Sequence, residues 1–309
     1  MNNTLIFIVG PTGVGKTDAG FLLAQRIGGE IVSCDAMQVY REVNIACDKP
    51  SADMRRQVPH HMIDVVSVTE AFDVARFRAL AIEAIDGIQK RGKVPVITGG
   101  SGMYMAVLLD GIFKTDVRDE ALRGHLQQEA QTQGPEVLHQ RLALLDPQAA
   151  IKIHSHDAKR IIRALEVVMT AGRPISQLQK EREGLWGHRP IKLFALDRPR
   201  ASLYRRVEER IERMFAQGLV EEVRALAKLP LGRTAAALIG IPEVSGYLNG
   251  EYDLQRAKYL MKLKTRHYVK RQLTWFRRDE RLKWINIEEG ASAGEIADQI
   301  CRKKESYSP

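Results

Sequence analysis

Gly10-Pro11-Thr12-Gly13-Val14-Gly15-Lys16-Thr17 follows an apolar run, Leu5-Ile6-Phe7-Ile8-Val9, and opens a segment of helical character from Lys16 to Ile27. The octet fits G-x-x-x-x-G-K-[ST] in the strand-then-helix context that pattern requires. Glycines let backbone N–H groups turn inward around phosphate oxygens, and the N-terminus of the following helix adds its dipole. Lys16 supplies a point charge, and the Thr17 hydroxyl is placed to reach a bound Mg²⁺. The stretch therefore predicts an α/β fold: a P-loop NTPase-like parallel sheet flanked by helices, with a phosphate site.

Outward from this loop the βα rhythm continues. Glu30-Ile31-Val32-Ser33 reads as a second strand, and 72–91 has apolar residues at helical spacing, ending at Gly92, a plausible C′ residue. Val94-Pro95-Val96-Ile97-Thr98 reads as a third strand, with its proline near the start, where a missing donor is tolerable. From 114 to 189 strands disappear, and the segments 118–132, 135–145, 157–172 and 175–183 read as helices. A strand resumes at Ile191–Leu196. Two long basic helices follow, at 200–217 and 254–279, then a strand at 282–286 and a final helix. The expected organisation is an α/β core from 1–113 and 190–309, interrupted by an all-helical insertion domain at 114–189.

The composition, 44% hydrophobic and 28% charged over 309 residues, is that of a globular protein. No apolar run approaches the roughly 20 residues of a membrane span. The start has no basic segment or small-residue cleavage site, so no secretion signal is expected. Three scattered cysteines, Cys34, Cys47 and Cys301, make neither a disulfide framework nor a metal cluster, which fits a reducing cytoplasm. The net charge of +9 is segregated. Residues 1–113 carry 11 Lys+Arg against 12 Asp+Glu, whereas 256–283 alone carry 11 against 2. A basic excess confined to part of a chain favours a polyanionic partner, with nucleic acid preferred over a merely solvated face.

The phosphate loop does not by itself specify hydrolysis. Strand 94–98 runs into Gly99-Gly100-Ser101-Gly102 without the carboxylate that an ATPase or kinase places at a later strand end, although Asp64 could substitute. A pyrophosphate leaving group suits the same cradle. Ligands of open parallel sheets bind beyond the carboxyl ends of the strands, which places Asp35, after the second strand, beside the loop if early strands are neighbours. Asp35 could bind Mg²⁺, accept a proton from a nucleophile, or cap the next helix. Gln38 could read a base edge, and the Ser101 hydroxyl is expected to face the same crevice. Adjacent His60 and His61 point to opposite sides of an extended segment, so structural hydrogen bonding is preferred over a metal.

Taken together, these residues resemble the tRNA dimethylallyltransferase family, the bacterial isopentenyl-tRNA transferases. The motifs run in order from Gly10–Thr17 through Asp35–Arg41, Val58–Asp64, Gly99–Tyr104 and Lys159–Glu166 to Lys270–Arg277, spanning nearly the whole chain. The resemblance implies transfer of the dimethylallyl group of dimethylallyl pyrophosphate to the exocyclic amine of the adenine 3′ of the anticodon, tRNA position 37, with Mg²⁺ as cofactor. It implies Asp35 as general base, with Ser101 and Arg210 (Arg206 in the alternative register) assisting at the pyrophosphate. It also implies tRNA contacts at Asp35, Ala36, Met37, Gln38, Ser101, Arg123, Lys159, Arg160, Ile161, Ile162, Arg163, Lys270, Arg271, Gln272 and Arg277. A cytoplasmic, monomeric enzyme is expected. Ser101 stands where the family usually has Thr, and Ala36 where it has Ser. Gly240-Ile241-Pro242-Glu243 and Ala46-Cys47-Asp48-Lys49-Pro50 also depart from the family pattern. Tyr268, Trp275 and Phe276 fit core packing or base stacking equally.

Three other functions would use the same loop or charge. A small-molecule phosphotransferase wants a second carboxylate and leaves the charge segregation unexplained. A prenyltransferase of free adenine nucleotides would not need tRNA. A non-catalytic RNA-binding module would use only the basic face.

Overall fold

The computed structural model describes residues 4–113 and 119–305. They belong to two compact units, one comprising the chain up to Leu108 and from Trp186 onward, the other Leu109–Leu185. The helical insertion thus starts before 114 and ends before 189. Its entering and leaving strands of chain run against each other: a Cβ on Gly184 would lie 2.0 Å from Leu109 O, and one on Gly111 2.2 Å from Glu183 O. Residues 114–118, where the sequence places the start of the insertion, lie outside the described residues.

The first unit is built on a six-stranded parallel sheet. Its strands are β1 (Leu5–Val9), β2 (Gly29–Ser33), β3 (His60–His61), β4 (Val94–Gly99), β5 (Ile191–Asp197) and β6 (Lys283–Asn286), in the spatial order β3-β2-β4-β1-β5-β6. Every residue of β1 and β2 is buried, as expected of parallel strands covered on both faces. One expectation fails. β1 and β2 are not neighbours, because β4 lies between them, pairing Val96 with both Ile6 and Ile31. Pairing with β1 begins only at Val96, so Pro95 sits where its missing N–H is tolerated.

Helix α1 (Lys16–Ile27) starts directly from the phosphate loop and turns its Ala19, Gly20, Leu23 and Ala24 inward. Gly20 packs on β4, where a Cβ would come within 2.5 Å of the Thr98 methyl. After α2 (Ala52–Gln57), α3 (Val74–Lys90) begins at an N-cap Asp73 and buries Phe77, Ala81, Ile85 and Ile88. Helix α4 (Gly102–Leu109) leads toward the insertion. In the second unit, α5 (Glu120–Gln133), α6 (Pro135–Leu145), α7 (Pro147–Lys152), α8 (Ala158–Ala171) and α9 (Ile175–Leu178) enclose a core that includes Leu126, Leu138, Leu142, Ile161 and Leu165. The short α7 is announced by Asp146-Pro147, a cap followed by a proline in the first turn. Buried Asp146 accepts from Ala149 N at 3.0 Å and from Ser176 N at 2.9 Å, capping α7 and holding α9.

Back in the first unit follow α10 (Arg200–Ala216), α11 (Leu219–Leu226), α12 (Arg233–Ala236), α13 (Ile241–Leu248), the 23-residue α14 (Leu254–Phe276) and α15 (Ala293–Glu305). No described helix is long and apolar enough to cross a membrane.

The ends of β2 and β4 approach so closely that a Cβ on Gly99 would stand 2.0 Å from Cys34 O. Gly99→Ala should therefore cost about 3 kcal/mol in urea unfolding, the upper range for overpacking. Gly87→Ala, inside α3, meets nothing nearer than Arg91 Nη1 at 3.4 Å, an ordinary van der Waals contact, and should be neutral or slightly stabilising.

Candidate active site

The phosphate loop joins β1 to α1. Gly13 and Gly15 adopt φ of +80° and +103°, the left-handed region in which glycine carries no steric cost. The loop is braced from outside. Arg206 Nε donates to Gly13 O at 2.9 Å, and the buried Arg198 donates through Nε to Val14 O at 3.0 Å. Gln272 of α14 accepts from Thr12 N–H through Oε1 at 2.9 Å and donates through Nε2 to Gly100 O at 2.8 Å. One carboxamide thus ties the phosphate loop to the end of β4.

A cavity of about 550 Å³ opens above these strand ends, lined in part by Thr12, Gly13, Gly15, Lys16 and Thr17. Gly10, Pro11 and Val14 shape the loop from behind and are not in the lining. Lys16 Nζ donates to Pro11 O at 2.7 Å. Burial pushes its ammonium down to about 7, with Asp35 raising it and Arg210 lowering it further. The buried amine is thus poised for an anion that would favour its charged form. Arg210 of α10 donates through Nη1 to Thr12 Oγ1 and pairs through Nε with Asp48 at 3.1 Å. Both registers read in the sequence reach the cavity: Arg210 engages the loop side chain Thr12, and Arg206 a loop carbonyl.

Asp35, Ala36, Met37 and Gln38 line the same cavity. Asp35 Oδ1 accepts from Met37 N at 2.8 Å and Gln38 N at 3.4 Å, so it does cap the turn after β2. Its Oδ2 has no hydrogen-bond partner among the described residues. Asp35 reaches the loop across the end of β4 rather than from an adjacent strand. Thr17 and a carboxylate give the donor set of an ion held chiefly by substrate phosphates; among the described residues no group of three His, Cys, Asp or Glu forms a metal cage. Asp64 is taken by Lys49 and Arg55, each at 2.6 Å. His60 bonds Val58 O and His61 bonds Glu30, each at 2.7 Å, the structural roles expected of them.

A phosphate cradle and a carboxylate facing one cavity narrow the comparison with known proteins. Residues 38–279 match the family model for IPP transferase. The chain belongs to the IPP transferase family. It is 45% identical over 284 residues to a tRNA dimethylallyltransferase of Geobacter metallireducens, covering 91% of this chain and 92% of that protein. A tRNA dimethylallyltransferase of Alkaliphilus metalliredigens is 40% identical, with 99% of each covered. Among solved structures, the tRNA isopentenylpyrophosphate transferase of Bacillus halodurans superposes with a TM-score of 0.72 at 35% identity, covering 98% of this chain and 97% of that one. A eukaryotic dimethylallyltransferase acting on tRNA gives 0.82 at 26% identity, covering 99% of this chain and 80% of that one.

Within this IPP transferase, several expected site residues take other roles. Ser101 is half-buried and its Oγ accepts from Tyr104 N at 3.4 Å, at the start of α4 beside the cavity rather than in its lining. Ile161 and Ile162 are 0% and 6% exposed; they belong to the core of the insertion, so their side chains cannot touch RNA. Gln272, 6% exposed, is spent on the loop strut. Lys159 and Arg160 are exposed on α8, with Arg160 paired to Asp157 at 3.2 Å. Arg123 and Arg163 converge on the buried Glu166 at 2.7 and 2.9 Å. Burial alone would raise that carboxyl, but the two guanidinium bonds hold it below its usual range. On α14, Lys270 and Arg271 are exposed and Arg271 reaches the cavity, whereas exposed Arg277 pairs with Asp197 at 3.5 Å. Phe276 is core, Trp275 packs over Gly102, and Tyr268 lines the cavity. Burial raises the Tyr268 phenol above its usual range.

The sequence reading missed Arg198 and Asp18. Arg198 had a legible signal, since Asp197-Arg198-Pro199 ends a strand on the ligand-binding edge. Asp18 follows the loop directly and lines the cavity, where burial raises its carboxyl.

The Lys16 environment predicts a proton linkage. Burial favours the neutral form of this lysine above about pH 7, and a bound anion would raise its pKa. Pyrophosphate should therefore bind with proton uptake at pH 8–9 and weaken as pH rises. Calorimetry in two buffers of different ionisation enthalpy should show this uptake, and Lys16→Arg should abolish it.

Proposed function

We propose that this chain transfers the dimethylallyl group from dimethylallyl pyrophosphate to the exocyclic amine of adenine 37 of tRNA. The observation that carries this reading is a phosphate-binding loop and an open carboxylate oxygen facing one cavity. In the reaction the adenine nitrogen attacks the allylic carbon and the carbon–oxygen bond breaks. Pyrophosphate departs with the electron pair, and the amine proton passes to Asp35. An allylic diphosphate leaves readily once its charge is neutralised. Lys16, the amides of the loop and Arg210 are placed for that neutralisation.

Mg²⁺, held by the Thr17 hydroxyl together with pyrophosphate oxygens, would add to the same charge neutralisation. Asp35 serves as base through Oδ2 while Oδ1 keeps the turn in place, so its geometry is fixed before substrate arrives. An adenine stacked in an anticodon loop must be splayed out to reach such a pocket. Gln38 lines the cavity with its amide oxygen accepting from Ser33 Oγ at 2.8 Å and its amide nitrogen directed to Asp48 O at 3.4 Å. Reading a base edge would require it to exchange one of these.

Lysines and arginines on α8 and α14 supply phosphate contacts that position the tRNA without reading its sequence. A kinase reading is less well supported, since Asp64, its candidate second carboxylate, is locked in ion pairs.

Two outcomes test the assignment. Asp35→Ala should lower the single-turnover transfer rate about 10²–10⁴-fold with tRNA affinity retained; a full-rate variant would remove Asp35 from the chemistry. Lys159→Ala and Lys270→Ala should each lower the slope of log affinity for tRNA against log salt by roughly 1. An unchanged slope in both would place the tRNA elsewhere.

A further inference from the structure

Arg210 is held at both ends of its guanidinium. Its Nη1 engages Thr12 of the phosphate loop, and its Nε meets Asp48 Oδ2 at 3.1 Å. Asp48 is fixed in its turn despite its half-exposed side chain. Its backbone adopts a left-handed φ of +51°, a conformation that Asp and Asn tolerate better than other side chains. Its N–H donates to Ile45 O at 3.0 Å and its carbonyl accepts from Gln38 Nε2 at 3.4 Å.

The turn carrying Asp48 is pinned by Glu222 on α11. Glu222 Oε2 accepts the N–H groups of Asn44 and Ile45, each at 2.8 Å, and Oε1 accepts that of Ala46 at 2.9 Å. Three successive amides converging on one carboxylate make an anion nest filled from within the chain. On the far side of Asp48, Lys49 Nζ donates to Tyr40 O at 2.7 Å and pairs with Asp64 at 2.6 Å. A turn anchored this firmly before and after a single carboxylate, with that carboxylate delivered to a cavity arginine, has a use for it.

We infer that Asp48 is a positioning residue for Arg210, set in place by Glu222, and that it turns the Nη end of the guanidinium toward the diphosphate of the donor. This rests on the reading of the cavity as a diphosphate site. Two effects of Asp48 on a bound anion oppose each other. Its charge repels phosphate, but at 53% side-chain exposure solvent and salt screen that repulsion strongly. Its grip on Nε removes the need to order a long, rotamer-rich side chain on binding, a saving of roughly 2- to 10-fold in affinity. The ordering effect wins, so loss of the carboxylate should weaken binding rather than strengthen it.

The test is calorimetric titration of inorganic pyrophosphate into the full chain, with thermal unfolding recorded for each variant. Asp48→Asn keeps the size and backbone tolerance of the site while removing the charge, and should weaken pyrophosphate about 3- to 10-fold without lowering the unfolding midpoint. Arg210→Lys should also weaken it, and Asp48→Asn combined with Arg210→Lys should bind no worse than Arg210→Lys alone. Glu222→Gln, which disturbs the nest, should act in the same direction as Asp48→Asn. Equal or tighter binding by Asp48→Asn, or losses that multiply in the double variant, would overturn the inference alone. Failure of the unaltered chain to bind pyrophosphate would overturn the diphosphate reading and this inference with it.

Discussion

The Gln272 carboxamide joins the phosphate loop, the turn after β4 and α14. Its oxygen takes the Thr12 N–H of the phosphate loop and its nitrogen reaches Gly100 O beyond β4. Both bonds are buried or partly buried, where an amide left half-satisfied is costly. The loop, the β4 turn and α14 are thus locked into one arrangement, and the cavity above them inherits its shape. Arg198 and Arg206 reinforce the same constraint by engaging two carbonyls of the loop. Glycine-rich backbone, free to adopt many conformations, is thereby held in one.

That rigidity separates two kinds of charge. Groups buried under the loop, such as Lys16, are displaced from their ordinary protonation and respond to an arriving anion. Groups on α8 and α14 that face solvent, such as Lys159 and Lys270, are placed to act at longer range on the proposed polyanion. In the proposed reaction, chemistry and affinity reside in different parts of the chain. Asp35 bridges the two roles, since one oxygen belongs to the scaffold and the other opens on the cavity.

Much of this was legible in the sequence because it depends on local pattern. The phosphate loop, the strand at Ile191 and helices α6, α10 and α14 follow from periodicity and turn chemistry within a few residues. The order of the sheet did not follow. Nothing local to Val94–Gly99 states that it will insert between β1 and β2, and that insertion decides how Asp35 reaches the loop. Burial was equally hidden inside the motif on α8. Lys159 and Arg160 point outward, Arg163 turns to the buried Glu166, and Ile161 and Ile162 enter the core, a distinction that a contiguous motif does not carry. Gln272 sits in a basic run and reads there as an RNA contact; only tertiary contact reveals that its donor and acceptor are already used. Ser101 has a similar history, because a hydroxyl after a strand serves equally as ligand or as helix cap.

In the proposed reaction one cavity holds the diphosphate of an allylic donor beside a base aimed at an adenine amine. The most direct measurement is incubation of the purified chain with Mg²⁺, isotopically labelled dimethylallyl pyrophosphate and unmodified tRNA, followed by digestion and nucleoside analysis. Label is expected on a single adenosine, the one 3′ of the anticodon, with one pyrophosphate released per label. Absence of label from tRNA, with transfer instead to free adenine nucleotide or turnover of ATP, would contradict it.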